Sequence, residues 1–155
     1  MLTILRSIVL AMAFLVALSA PAPADQWDDL AQKFVDQEQA RVVRRAADKD
    51  GIVIVMDHPL VTERVVLVVT DKQPAISFQF KSAALPGNDA FDLMARGSSL
   101  VTGKGAAAAM RLLRQCYPAA RTEERGVATV SADGLFVTCI VPRDGGGVNF
   151  LVAPE

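Results

Sequence analysis

One histidine, one tryptophan and two cysteines are all that 155 residues offer of three chemically versatile side chains, and each scarcity removes a class of chemistry. A zinc site draws four ligands from His, Cys and carboxylates. With His58 alone and two cysteines that pair in an oxidising compartment, neither a metal nor another cofactor is expected. His58 is also the one side chain that ordinarily titrates near neutrality. It stands in "MDHPL", where Asp57 is too close in sequence to orient its ring, and no G-x-S-x-G elbow surrounds Ser98 or Ser99. Aromatic residues make up 6% of the chain and are scattered, which leaves no stacking platform for bases or sugars. The net charge of −1 lacks the basic excess that counterion displacement on nucleic acid requires. No apolar run reaches the roughly 20 residues of a membrane-spanning helix.

What is present begins with an export pattern. Arg6 precedes an apolar run from Ser7 to Ala20, and "APAPA" follows with Ala22 and Ala24 at the small positions of a cleavage site. Cleavage is expected between Ala24 and Asp25, and no cysteine follows the run to carry a lipid. Residues 1–24 are thus read as a signal peptide and 25–155 as one periplasmic or secreted domain without stable membrane insertion. Loss of the leader takes one of 16 basic residues and none of 17 acidic ones, leaving about −2. In that compartment Cys116 and Cys139 are expected to form one structural disulfide, and their spacing is not the C-x-x-C of a redox catalyst.

Periodicity outlines the elements. Trp27, Leu30, Ala31, Phe34, Val35, Val42 and Ala46 share one helical stripe, which predicts a long helix from Gln26 to about Ala47. Arg41, Arg44 and Arg45 read as solvent-facing charges that suit its C-terminal end. "GIVIVMD", "RVVLVVT" and "AISFQFK" read as three strands of a meander. The first two look covered on both faces or central, and the third half exposed. A short helix is expected to end at Gly97, followed by an extended "SSLVT". A second clear helix runs from Gly105 to Tyr117, with Pro118 as its stop. Asp133-Gly134 marks a β-hairpin, and "RDGGG" turns into a last strand. The sum is a single α+β domain, a mainly antiparallel sheet against a long N-terminal helix and a second helix stapled by Cys116–Cys139.

"RGSSLVTGKGAAAAMRLLRQC" is the most motif-like stretch. A phosphate loop needs four residues between its first glycine and Gly-Lys, then a hydroxyl residue for magnesium. Here Gly97 is one residue too far from Gly103, and Gly105 occupies the hydroxyl position. Helical spacing instead turns Cys116 toward Ala109, Leu112 and Leu113, and alternation turns Cys139 toward Leu135 and Val137, so each thiol lies on a face expected to be buried. The carboxylate pairs Asp89/Asp92 and Glu123/Glu124 read as helix-start and loop charges rather than a catalytic couple. The progression of Arg96-Gly97, Val101, Gly103, Ala106-Ala107, Leu112 and Cys116 resembles exported proteins of the invasion-associated locus B type, although their further cysteines are missing. The resemblance implies an exported, non-enzymatic module. Because none of the serine, histidine, carboxylate or phosphate-loop arrangements forms a catalytic set, no catalytic residue is nominated. The expected function is binding of a protein partner in the cell envelope, as an inhibitor, immunity-type or accessory protein, through "HPLVTE", "SAALPGND" or "AARTEERG". A small-molecule or lipid carrier with a pocket under the first helix is the alternative, ahead of a hydrolase.

Overall fold

The computed structural model describes residues 23–48, 51–70 and 73–155, so all but the last two residues of the expected 1–24 leader lie outside the described residues. Helix α1 (Pro23–Glu38) is followed by strands β1 (Arg41–Asp48), β2 (Gly51–His58), β3 (Val61–Thr70) and β4 (Gln73–Phe80). Helices α2 (Asn88–Thr102) and α3 (Ala106–Thr122) come next. Strands β5 (Val127–Ala132), β6 (Leu135–Ile140) and β7 (Val148–Pro154) complete the described order. All seven strands form one antiparallel sheet in the order β1-β2-β3-β4-β7-β6-β5.

Alternation decides what each strand buries. Ile54 and Met56 on β2, Val65, Leu67 and Val69 on β3, and Ile76, Phe78 and Phe80 on β4 all point into the core. So do Val148, Phe150 and Val152 on β7 and Leu135, Val137 and Cys139 on β6. The helices supply the other half: α1 packs on β1 and β2, α2 on β4 and β7, and α3 on β5 and β6. Phe150 sits at the centre, edge-on to Phe80 and Phe91 and stacked with Tyr117. The intervening residues, Val53, Val55, Val66 and Val68 among them, face away from the helices and are half-buried or exposed. Of the two alternatives for β2 and β3, the interior position in the sheet is the one observed, since each has a strand on both sides, and cover on both faces is not. Continuous β-branched residues favour the pleated strand whether or not a second layer covers it.

The long first helix is also corrected. It stops at Glu38, Gln39 adopts a left-handed φ of 56°, and residues 41–48 pair with β2 as an edge strand. A register shift between Val42 and Arg44 marks a β-bulge at Val43, which breaks period two and hides the strand from any test of alternation. Helix α2 runs through Gly97 to Thr102 instead of stopping there, so "SSLVT" is helical. The left-handed cap is Gly103, at φ 70°. Gly97 is needed for approach, since a Cβ there would lie 2.6 Å from Cε2 of Phe34 and 3.1 Å from Cζ of Phe78. Helix α3 likewise continues past Pro118 for another turn, with Ala120 buried on its inner side. Pro118 is exposed, and the core contacts around it outweigh one missing intrahelical hydrogen bond. The Asp133-Gly134 hairpin forms as expected, with both φ values positive as a type I′ turn requires. Cys116 and Cys139 are joined across α3 and β6, their Cα atoms 5.8 Å apart, and both are fully buried.

Candidate functional site

An open cleft among the described residues lies on the helix-free side of the sheet, at the corner formed by β1, β2 and β3. Its volume is about 940 Å³, of the order of ligand pockets in general, and it is broadly open to solvent. One bulge and one further register irregularity border it. The bulge at Val43 changes the phase of β1, so that Arg41 lies opposite Asp57 and Arg44 opposite Val55, both on the open face, while the exposed Arg45 lies on the helix side. Arg45 there reaches Asp28 of α1 at 2.6 Å. The second irregularity falls between Met56 and His58, where β2 meets β3. Bulges re-aim side chains and recur beside functional sites.

Charge in the cleft is uneven. Arg41 pairs with Asp57 at 3.1 Å, but Arg44, Arg64 and Lys81 form no ion pair with a described carboxylate. Val43 and Val55 supply an apolar floor, and Thr62 and Glu63 lie on the β3 side. Thr62 accepts the backbone N–H of Lys81 at 2.9 Å, which ties the strand ends together there. The site therefore combines free cations with exposed methyl groups, suited to holding an anionic and partly apolar ligand. Nothing in it resembles a nucleophile with its base.

His58 closes one end of the cleft as a structural residue. Its Nε2 lies 2.7 Å from the carbonyl oxygen of Glu38, and its Nδ1 accepts the backbone N–H of Leu60 at 3.0 Å. A carbonyl only accepts and an amide N–H only donates, so the proton sits on Nε2 and neither nitrogen is left over. The carboxylate of Glu38 is held at 2.9 and 2.7 Å by the two-pronged guanidinium of Arg96 on α2. Hydrogen bonding to Glu38 raises the Arg96 pKa above its ordinary value. The end of α1 is thus clamped to both β2 and α2, which fixes where β1 begins.

The other residues weighed from sequence do not converge. Ser98 is fully buried on α2 with an unpartnered hydroxyl, and His58 and Asp57 are engaged elsewhere. Asp89, Asp92, Glu123 and Glu124 are exposed at helix ends or in a loop. Gly103-Lys104-Gly105 joins α2 to α3, with Gly105 as the N-cap of α3, and the Lys104 side chain lies over Gly134. Of the three loops, "HPLVTE" borders the basic cleft. "SAALPGND" and "AARTEERG" instead flank a second groove of about 450 Å³ lined by Leu85, Phe91, Arg114, Tyr117 and Arg121. Arg114 there is already stacked on Phe91 and bonded to Asn88. Under α1, Ala31 and Phe34 are buried, so the helix rests directly on the core at those positions.

Sequence reasoning missed the cleft. Arg44, Arg64 and Lys81 are unremarkable singly, and only the register brings them to one face. Among the described residues no group of His, Cys, Asp and Glu is placed to hold a metal, and no helix is long and apolar enough to cross a membrane. Comparison with protein-family models, curated proteins and solved structures found no match to the chain.

Proposed function

We propose that this is a non-catalytic binding protein of the cell envelope that holds a protein partner against the open face of its sheet, with the basic cleft as the anchor. The observation that carries the reading is the one-sided architecture. Every described helix lies on one face, while the other presents valines together with unpaired cations in a cleft bordered by two register shifts. Partner contacts that combine apolar surface with complementary charge gain affinity from the first and orientation from the second. The disulfide supports the same setting, because structural disulfides persist in oxidising compartments.

Site-specific photocrosslinking in the producing cell tests this. A photoreactive residue at Val53 or Val68 is expected to trap one protein of defined mass, and the same probe at Ala107 on the outer side of α3 is not. Arg44→Glu should abolish the adduct. Equal crosslinking from both faces, or an adduct indifferent to Arg44→Glu, would refute the proposal.

A further inference from the structure

The cleft's cations are arranged in a line, and that arrangement bears on what they hold. Arg44 lies opposite Val55, which lies opposite Val66. Two residues back along β3 is Arg64, opposite Gln79 of β4. Two residues beyond Gln79 is Lys81, beside Thr62. Strands lie about 4.8 Å apart and rise about 3.3 Å per residue, so the diagonal from Arg44 through Arg64 to Lys81 runs roughly 20 Å between its end Cα atoms. The oxygens of one phosphate lie within a few ångström of each other and cannot serve both ends of such a line. An extended peptide covers it with about six residues, and alternate side chains of that peptide point to the same side.

We infer that the cleft receives an acidic, extended segment of the partner protein, with carboxylates from one side of that segment, spread over about six residues, on Arg44, Arg64 and Lys81 and apolar side chains against Val43 and Val55. The guanidinium fork of each arginine matches a carboxylate in two-pronged geometry, and the ammonium of Lys81 serves as a point charge. Asp57 does not oppose this, because Arg41 neutralises it at 3.1 Å. Glu63 stays as the single unpaired acid at the rim and sets the direction of the segment, disfavouring a carboxylate beside it. The chain as a whole carries a charge of −1, so the local excess of cations is not a reflection of composition.

The inference rests on the open-face reading, yet its assay needs no natural partner. The probe is a fluorescent peptide of about ten residues that alternates glutamate and valine, titrated with the full protein and read by anisotropy. Binding in the micromolar range is expected at low salt, weakening as ionic strength rises. Arg44→Glu and Arg64→Glu should each weaken it about tenfold, and Arg125→Glu, at the far end of the sheet, should leave it unchanged. Unchanged circular dichroism keeps a folding defect from mimicking the loss. No binding, equal binding of a lysine–valine peptide, or equal competition by inorganic pyrophosphate at the same concentration would overturn the acidic-segment chemistry. Any of these would leave the crosslinking result standing on its own.

Discussion

Replacing Gly97 with alanine sets two well-defined effects against each other. Alanine is favoured over glycine in a helix interior by about 1 kcal/mol, largely because the unfolded chain loses freedom. The added methyl carbon would lie 2.6 Å from Cε2 of Phe34 and 3.1 Å from Cζ of Phe78. Both contacts are shorter than carbon atoms tolerate, so α1 must shift or the Phe34 ring must rotate. Phe34 is 1% exposed and Phe78 fully buried, which leaves neither ring open space to enter. Overpacking of this kind costs typically 1–3 kcal/mol, so the net expectation is a loss of about 1 kcal/mol. For a domain of this length that corresponds to a fall in Tm of roughly 3–5 °C. Urea unfolding followed by far-UV circular dichroism should show a lower midpoint with an unchanged slope. A Gly97→Ala protein as stable as the parent would show that the α1–α2 contact is looser than described.

The opposite sign is expected at Gly105, where a Cβ meets nothing within 4 Å and the residue caps α3 without a side-chain hydrogen bond; Gly105→Asp should add a few tenths of a kcal/mol to the same urea midpoint. Reduction of Cys116–Cys139, or the double substitution to alanine, should cost about 3 kcal/mol from the entropy of a loop of 23 residues, read as a lower midpoint under reducing conditions. Arg96→Met leaves the Glu38 carboxylate, whose side chain is 8% exposed, without its charged partner. A loss of about 1–2 kcal/mol is expected, because Arg96 itself is half exposed and water takes over part of its role. Hydrogen exchange should then rise first at Gln39 and the start of β1, and uniform protection would refute the clamp.

Local chemistry made some elements readable in advance. The Asp133-Gly134 hairpin follows from two residues that accept positive φ. The Cys116–Cys139 pairing follows from two periodicities that each turn a thiol inward. Other elements were hidden by the features that serve the candidate site. The bulge at Val43 interrupts alternation, so β1 looked like the end of a helix and its three arginines like one solvated group. In the folded chain they separate, Arg41 and Arg44 to the open face and Arg45 to Asp28. Gly97 resembled a cap because glycine readily takes the left-handed conformation that closes a helix, while its actual role depends on Phe34, distant in sequence. The cleft itself depends on the register of four strands, which no local window contains.

The strand order has a mechanical consequence. Strands β1 to β4 form one continuous meander, and β5 with β6 forms a hairpin, but among the described strands only β7 is bonded to both groups. It acts as a keystone: a chain interrupted before Val148 would keep two small sheets with no backbone hydrogen bonds between them. The disulfide cannot take over that task, because Cys116 and Cys139 both lie on the hairpin side of the seam.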